Sequence, residues 1–529
     1  MSQARPDPGR VSAVYRVQRE AVASEDLARL IAIEQTVEIP EALIPPGKIR
    51  DEVVGRVESV TADPGAPGAH RITISYGAEL ARDLFGLLAV AIGNAPMYGG
   101  VRLVELQPPR ALLEALPGPN HGVQGVRRLC GVLGRPLLAT ALKPQGSSVS
   151  ELASIGEAFA RGGGDLVKDD QNLTDGFEAF RSRVTACAEA VERGNQATGR
   201  RCLYLPHAGA RAEELERYVE FVAEAGLPGV LICPMITGLD TMRALAERYP
   251  LIFMGHPSLT GAYTHAPGHG VAHGVLLGTL FRLAGTDISV FPDAGGRFRY
   301  TEAECAEITG RLREPLGAVR PAWPSPAGGM GPADVGRICE TYGPDTVLLI
   351  GGALLGHPDG IEAGTREILD RIRDVHPEVS IQPSDPSRPS LPEPRRLAFR
   401  RDWNWEGRDS SPYKDAGDLT FRGVRRVELV GKFGERTRCD LRYFEVEPGG
   451  HTSLEKHLHT HVVIGARGEG VLLLGGRRMP LRHLDVACVG PLEAHQLRNE
   501  TEEPFGFLCV VDHERDRPLR VEATASANL

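Results

Sequence analysis

A lysine and two acids stand together in the segment GGGDLVKDDQ, within and just after a short apolar run that is typical of a buried strand. They are Lys168, Asp169 and Asp170, and Gln171 follows them. At the end of a strand, loss of water and neighbouring charge can shift the pKa of such groups, which is common in catalytic sites. The segment taken alone fits solvated charges equally well.

Three histidines, His457, His459 and His461, alternate in the segment EPGGHTSLEKHLHTH. In a straight strand every second side chain points to the same face, so these imidazoles would form a row. Imidazole is a ligand of Fe2+, Mn2+, Ni2+ and Zn2+, and the sequence does not choose among them. The segment predicts a site for a divalent transition metal, with a solvated histidine-rich strand as the alternative.

The elements that must position the lysine and the acids are eight apolar runs, each followed by a helical segment, over roughly 250 residues. The runs cover residues 136–143, 164–170, 202–206, 229–234, 249–257, 287–293, 320–326 and 345–352. This rhythm predicts an α/β fold with a (β/α)8 TIM barrel, in which catalytic groups lie at the carboxyl ends of strands. Polar residues and glycines do stand at those ends: Lys143, Lys168, Asp169, Asp170, His256, Asp293, Ser325, Gly351 and Gly352.

Composition shifts divide the rest of the chain. Residues 1–130 mix strand-like runs (70–77 and 101–107) with a helical stretch (79–93), which predicts an α+β domain before the barrel of residues 131–380. Residues 381–400 contain a segment rich in proline and serine and are predicted to be a linker. Alternating apolar runs within residues 401–529 predict an antiparallel β domain.

The bulk composition excludes several classes of protein. A chain of 529 residues with net charge -9 favours a soluble multidomain protein and disfavours a nucleic-acid-binding surface. No run reaches about 18 apolar residues, and the N-terminal segment lacks the apolar core of a signal peptide, so we expect a cytoplasmic protein without membrane partners. Nine cysteines without a C-x-x-C pair disfavour a disulfide framework, and we expect most of them to be buried.

Five segments, ATALKPQG, GGGDLVKDDQ, MGHPS, SPAGGM and LLIGGALLGHP, occur in the order and spacing of the RuBisCO large-chain superfamily. The match extends over residues 12–375, and the chain resembles the RuBisCO-like (form IV) proteins. The resemblance implies a ferredoxin-like N-terminal domain followed by a TIM barrel. It also implies that Lys168 is carbamylated and binds Mg2+ with Asp170. The third ligand in the family is a glutamate, whereas this chain has Gln171, which removes a negative charge and should weaken Mg2+ binding.

The resemblance also assigns the surrounding residues. Asp169 either compensates for the lost charge or is exposed. Lys143 aligns with the lysine beside the reacting carbon and is a candidate proton shuttle, the alternative being a surface lysine. His256 aligns with the histidine of the superfamily at the end of the fifth strand and is a candidate catalytic residue, the alternative being a structural histidine. An arginine usually accompanies that histidine, but Pro257 follows here.

The remaining implied positions concern phosphate and a second subunit. The residues expected to bind the sugar phosphate are Ser325, Gly328, Gly329, Gly351 and Gly352, with the glycines exposing backbone amides to the anion. AIEQTVE and AIGNAPM resemble segments that a neighbouring subunit inserts into the barrel mouth, which nominates Glu34 and Asn94. The active unit would then be at least a homodimer.

The segment DISVFPDAGGRF lacks the lysine with which carboxylating members of the superfamily hold carbon dioxide. We therefore expect no carboxylation, while removal of a proton next to a carbonyl survives with Mg2+ and Lys143.

The C-terminal domain resembles the cupin family. GARGEG aligns with the glycine turn of cupins, and GPLEAHQLRN carries a second motif. The resemblance makes His457, His461 and His495 the metal ligands, with Glu455 or His459 completing the set.

Two functional hypotheses follow from these resemblances. One branch of RuBisCO-like proteins isomerises 5-methylthioribulose 1-phosphate, and a cupin removes the methylthio group from methylthioxylulose 5-phosphate, so the fused chain would be an isomerase joined to a carbon-sulfur lyase. The alternative is a decarboxylase or transcarboxylase of a 3-oxo acid phosphate of the 3-oxo-isoapionate 4-phosphate type, with a regulatory or sensor cupin.

Overall fold

The N-terminal elements alternate as strand, helix, strand, strand, helix and strand. A computed structural model places residues 7–18, 23–378, 396–400, 403–413, 420–433, 437, 439–457, 459–512 and 519–520. The first elements are β1 (Arg10–Val17), α1 (Ser24–Glu34), β2 (Arg56–Ala62), β3 (His70–Gly77), α2 (Leu84–Ile92) and β4 (Val101–Gln107). The antiparallel strand order β4-β1-β3-β2 is that of a ferredoxin-like fold.

Helix α2 is shorter than the predicted helical stretch 79–93. Asp83 is extended, and its carboxylate accepts a hydrogen bond from the backbone amide of Gly86 at 2.8 Å. This N-cap satisfies an amide that has no partner within the helix, so the α-helix begins at Leu84. A 3-10 turn (Ala78–Leu80) precedes it.

Eight parallel strands then form the barrel, and the predicted strands are confirmed. The elements are α3 (Arg110–Ala115), α4 (Gly122–Cys130), β5 (Leu137–Leu142), α5 (Val149–Arg161), β6 (Leu166–Asp169), α6 (Phe177–Thr198), β7 (Leu203–Leu205), α7 (Ala212–Glu224), β8 (Gly229–Ile232), α8 (Pro234–Thr237), α9 (Leu239–Arg248), β9 (Ile252–Gly255), α10 (Gly261–Thr264), β10 (Gly270–Val271), α11 (Phe281–Leu283), β11 (Ile288–Pro292), α12 (Glu302–Arg313), β12 (Trp323–Ala327), α13 (Val335–Tyr342), β13 (Val347–Leu349), α14 (Gly352–Leu355) and α15 (Gly360–Val375). The barrel strand order is β7-β6-β5-β13-β12-β11-β9-β8, while β10 extends the N-terminal sheet beside β4.

The barrel closes between β7 and β8. The amide of Leu231 donates to the carbonyl of Pro206 at 2.8 Å, and the amide of Ala208 donates to the carbonyl of Leu231 at 3.1 Å. Apolar residues of the strands fill the interior together with Val123 and Val126 of α4, which covers the amino end of the barrel. The carboxyl end is therefore the end at which a ligand can enter.

The C-terminal part of the chain is an antiparallel β domain. Its strands are β14 (Ser410–Pro412), β15 (Arg422–Val430), β16 (Cys439–His451), β17 (Glu455–Lys456), β18 (His461–Arg467), β19 (Gly470–Leu474), β20 (Arg477–Leu481), β21 (Val486–Val489), β22 (His495–Arg498), β23 (Phe505–Asp512) and β24 (Leu519–Arg520). The main path is β20-β19-β22-β16-β23-β18-β21 around an apolar core that includes Phe444, Val463 and Phe505.

The chain divides into two compact units, Met1–Ile381 and Gln382–Leu529. The predicted linker 381–400 lies outside the described residues except for 396–400. Within the described part of the chain, we find no helix with the length and apolar character needed to span a bilayer.

Candidate active site and metal centre

A cavity of about 600 Å³ opens at the carboxyl end of the barrel, between loops that follow β5, β6, β9, β11, β12 and β13. Nine of the residues expected at this site line it: Lys143, Lys168, Asp170, Gln171, His256, Gly328, Gly329, Gly351 and Gly352. Strands that are distant in sequence thus bring the two lysines, the metal-ligand candidates and both pairs of glycines to one cavity.

Lys168 is buried at the end of β6, with 2% of its surface exposed. Burial lowers the pKa of its amino group to about 8, against the opposing effect of Asp170 and Asp169. The amine Nζ donates a hydrogen bond to the carbonyl of Asp169 at 2.9 Å. A buried amine with this pKa is partly neutral near neutral pH, as a reaction with carbon dioxide requires.

Asp169 does not line the cavity, where it could compensate for the negative charge lost from the metal site, and it is not exposed to solvent. Side chains alternate along a strand, so it points away from the face that carries Lys168. Its buried carboxylate accepts hydrogen bonds from Arg183, from the hydroxyl of Tyr204 at 2.7 Å and from the amide of His207 at 2.9 Å. It anchors β6 to α6 and to the strand-end loop that follows β7.

The cavity glycines are required for two reasons: a neighbouring side chain approaches one of them closely, and two others have a positive φ. A side-chain carbon on Gly351 would lie 2.9 Å from Nζ of Lys143, so glycine leaves room for this ammonium. Gly328 and Gly329 have φ values of +98° and +96°, which L side chains rarely adopt. The loops after β12 and β13 therefore keep their backbone open toward the cavity.

His256 has a defined hydrogen-bonding pattern. Its Nδ1 lies 2.8 Å from the hydroxyl of Ser258 and accepts from the amide of Ser258 at 3.2 Å. Burial, with the charge of Lys168 and the neighbouring His207, holds the pKa of the imidazole well below its usual value. The neutral ring then carries its proton on Nε2, from which it can donate to a ligand.

Cavity residues that the sequence did not single out include Arg297, Phe298 and Tyr300 after β11, and His265. This β11 loop packs closely on the Gly328 loop. The two backbones are so near each other that a side-chain carbon on Gly296 would lie 2.7 Å from the Gly328 carbonyl oxygen. The position of Arg297 just after a predicted barrel strand was the signal that could have identified it.

Two other strand-end residues lie elsewhere. Ser325 is fully buried in β12, is not among the residues that line the cavity, and its hydroxyl has no hydrogen-bond partner among the described residues. Asp293 is also buried, and it accepts hydrogen bonds from Arg337 and Tyr342, each at 2.6 Å. Asp293 therefore joins the β11 end to α13.

Glu34 and Asn94 meet each other outside the cavity. The amide of Asn94 donates to Glu34 at 2.9 Å, and the hydroxyl of Tyr98 donates to the other carboxylate oxygen at 3.1 Å. Within the described part of the chain, neither residue is among those that line the cavity. Met97, one turn from Asn94, has 74% of its surface exposed.

In the C-terminal domain, three imidazoles converge. His457, His461 and His495 each offer a ligand atom, and these atoms lie within 4.8 Å of one another. His461 begins β18 and His495 begins β22, whereas His457 lies in the turn between β17 and β18. The row imagined for a straight strand is therefore absent from this turn. His459 instead stacks on His457, with ring centroids 3.6 Å apart, and Glu455 pairs with His495 across β17 and β22.

The protonation of these rings suits metal binding. Nδ1 of His457 lies 2.8 Å from the carbonyl of His459, and Nδ1 of His495 lies 2.9 Å from the carbonyl of Glu493. A carbonyl only accepts, so the neutral rings carry their protons on Nδ1 and keep a lone pair on Nε2. Burial and the neighbouring rings lower the pKa of His461 to about 2, and its buried Nε2 has no hydrogen-bond partner among the described residues.

Comparison with known proteins assigns both parts of the chain. Residues 122–372 match the family model of the ribulose bisphosphate carboxylase large chain, catalytic domain, and residues 442–511 match that of the cupin domain. Ribulose bisphosphate carboxylase-like protein 1 of Rhodopseudomonas palustris is 37% identical over 65% of this chain and 93% of its own length. The chain belongs to the RuBisCO large-chain family.

Other relatives of this RuBisCO-like chain include the 5-methylthioribulose-1-phosphate isomerase of Rhodospirillum rubrum, which is 36% identical over 69% of this chain and 96% of its own length. The crystal structure of a Rubisco-like protein from Rhodopseudomonas palustris superposes with a TM-score of 0.62 at 34% identity, over 69% of this chain and 98% of that one. The RuBisCO-like part carries a C-terminal cupin domain.

Proposed function

We propose that the barrel enolises and isomerises 5-methylthioribulose 1-phosphate without fixing carbon dioxide, and that the cupin removes the methylthio group from the product. The observation that carries the proposal is the meeting of Lys143, Lys168, Asp170 and Gln171 in one cavity with two pairs of glycines. The Rhodospirillum rubrum relative, named an isomerase of this sugar phosphate, supports the choice of substrate.

The residues of the cavity fit Mg2+. Asp170 and Gln171 supply oxygen atoms, which Mg2+ prefers, and carbamylation would convert Lys168 into a third oxygen ligand. The pKa of about 8 at Lys168 leaves part of the amine neutral and able to react with carbon dioxide. When bound, the ion would supply positive charge for the carbonyl oxygen on which negative charge develops.

The chain itself supplies the proton transfers and the binding of phosphate. Lys143 lies against Gly351 at the cavity wall and moves a proton at the carbon next to the carbonyl. His256 donates from Nε2 to a substrate oxygen. The backbone of Gly328 and Gly329, with the neighbouring guanidinium of Arg297, binds the phosphate.

The β11 loop favours isomerisation over carboxylation. Its residues at the cavity are Arg297, Phe298 and Tyr300, and a lysine is lacking between Asp293 and Tyr300. An enolate formed in the cavity would thus be reprotonated at carbon instead of being held against carbon dioxide.

In the cupin, we assign His457, His461 and His495 as ligands of a divalent transition metal, Fe, Mn, Ni or Zn. The orphaned Nε2 of His461 and the two carbonyl-fixed tautomers support this assignment. Glu455 and His459 are the candidates for a further ligand.

Incubation of the full chain with 5-methylthioribulose 1-phosphate in deuterated water tests both steps. We expect deuterium in the product by mass spectrometry and release of methanethiol. Lys143→Met should abolish labelling, and His495→Ala should abolish methanethiol while labelling persists. Absence of both label and methanethiol in the native chain would overturn the proposal. Loss of carbon dioxide from a 3-oxo acid phosphate, with no deuterium incorporated into 5-methylthioribulose 1-phosphate, would favour the decarboxylase alternative.

A further inference from the structure

His461 differs from the other two imidazoles in the partner of its Nδ1. Where His457 and His495 face backbone carbonyls, Nδ1 of His461 lies 3.4 Å from Sγ of Cys509. A carbonyl oxygen only accepts and therefore fixes the proton on Nδ1. A thiol both donates and accepts, so its contact alone does not choose the tautomer.

The surroundings of Cys509 make that choice. Cys509 lies on β23 opposite Val463 of β18, with 3% of its surface exposed, so its sulfur is held in the domain core beside His461. The guanidinium Nη2 of Arg442 lies 3.5 Å from the same sulfur. Arginine has only donors, so the sulfur accepts from it. A proton on Nε2 of His461 would have no acceptor among the described residues, whereas a proton on Nδ1 has this sulfur, so the geometry favours the proton on Nδ1.

We propose that Cys509 is a positioning residue of the cupin metal centre: its sulfur accepts the Nδ1 proton of His461 and thereby keeps a lone pair on Nε2. This nitrogen is buried without a hydrogen-bond partner among the described residues, beside the rings of His457 and His495, whose centroids each lie 4.9 Å away. The inference rests on the metal centre proposed above and adds the residue that orients one of its ligands.

The experiment measures Co2+ affinity of the full-length, metal-free chain by competition with a chromophoric chelator. Cys509→Ala and Cys509→Val both remove the acceptor, and the second largely keeps the volume. Each should weaken Co2+ binding about tenfold or more, the usual effect of losing a partner behind a metal-bound histidine. Cys509→Ser keeps an acceptor and should stay within a few-fold of the native affinity. Cys488→Ala, which changes an exposed cysteine of β21, is the matched control and should bind as the native chain does.

The outcomes separate the two proposals. If the native chain does not bind Co2+, or binds it equally well after His495→Ala, the metal centre itself is wrong. If the native chain binds Co2+ and both acceptor-free variants bind it as tightly, the metal centre stands and the role of Cys509 is wrong. A thiolate-to-cobalt charge-transfer absorption in the native chain, lost in Cys509→Ser, would make Cys509 a ligand and also overturn the positioning role. This comparison needs only the native chain and Cys509→Ser, so it can be made even if Cys509→Ala or Cys509→Val fails to fold.

Discussion

Changing Asp169 to asparagine should destabilise the barrel. The same change at Asp170 should leave the stability of the barrel nearly unchanged and abolish its proposed isomerase activity. The carboxylate of Asp169 faces three donors, from Arg183, Tyr204 and His207, and is fully buried. An asparagine there would turn an amide NH2 group toward donors and leave the Arg183 charge partly uncompensated.

The size of the expected loss in the free energy of unfolding depends on the partners that Arg183 keeps. Removing one partner of a buried ion pair costs about 3–5 kcal/mol. Arg183 keeps an ion pair with Asp175 at 2.8 Å, so we expect the lower limit, about 3 kcal/mol. Asp170 is only partly buried and accepts from the amide of Asn172 at 3.0 Å, a bond that asparagine can keep. Its replacement should change the free energy of unfolding by less than about 1 kcal/mol.

Urea-dependent hydrogen exchange, read by mass spectrometry, measures this contrast because barrel and cupin peptides are followed separately. Asp169→Asn should shift the transition of the β6 and α6 peptides to lower urea, with the cupin peptides unchanged. Asp170→Asn should leave all transitions in place and abolish deuterium incorporation into the sugar phosphate. Equal stability losses in the two variants, or none in Asp169→Asn, would refute the assignment of opposite faces.

Three further predictions concern charge and ligands. Burial alone would raise the pKa of Glu378, but hydrogen bonding to Arg200 and the charge of Arg135 lower it to about 2 from an ordinary 4.5. Its stabilising effect is thus complete above pH 4.5 and is lost as the pH falls toward 2, so Glu378→Gln should reduce the acid dependence of the unfolding free energy of the barrel. Arg297→Gln should raise KM for the sugar phosphate about tenfold or more, with Arg297→Lys intermediate, in steady-state assays. His495→Ala should remove most of the bound transition metal, measured by elemental analysis, and leave barrel turnover unchanged.

The barrel strands were predictable because a strand buried on both faces is a short, nearly continuous apolar run, as in Leu137–Leu142. The strand-end rule and the family resemblance then identified Lys143, Lys168 and Gly351. The environment of Asp169 was not predictable, because Arg183 lies on the next helix and only the packing of α6 on β6 brings the two together.

The same distinction between local and tertiary information holds in the cupin. The spacing of His457, His459 and His461 suggested one straight strand, yet β17 ends at Lys456 and β18 begins at His461. Because of the turn between them, His459 does not form a row with the other two imidazoles. Its carbonyl instead orients the ring of His457. His495 could be assigned from its own motif, whereas the contact of Cys509 with His461 depends on strand pairing across 48 residues.

The pair Glu34 and Asn94 gives a test of whether one subunit completes the cavity of another. Because Glu34 and Asn94 lie outside the cavity of their own chain, we expect that in a homodimer Glu34→Gln would inactivate the cavity of the partner, whereas Lys168→Met would inactivate the cavity of its own chain. In a mixed dimer, the Lys168→Met subunit contributes an intact Glu34 to the intact barrel of the other subunit, so one of two sites is restored. Random exchange makes half of the dimers mixed, and activity should return to about a quarter of the native value. If mixing restores nothing while native mass spectrometry detects the mixed dimer, Glu34 acts within its own chain or not at all.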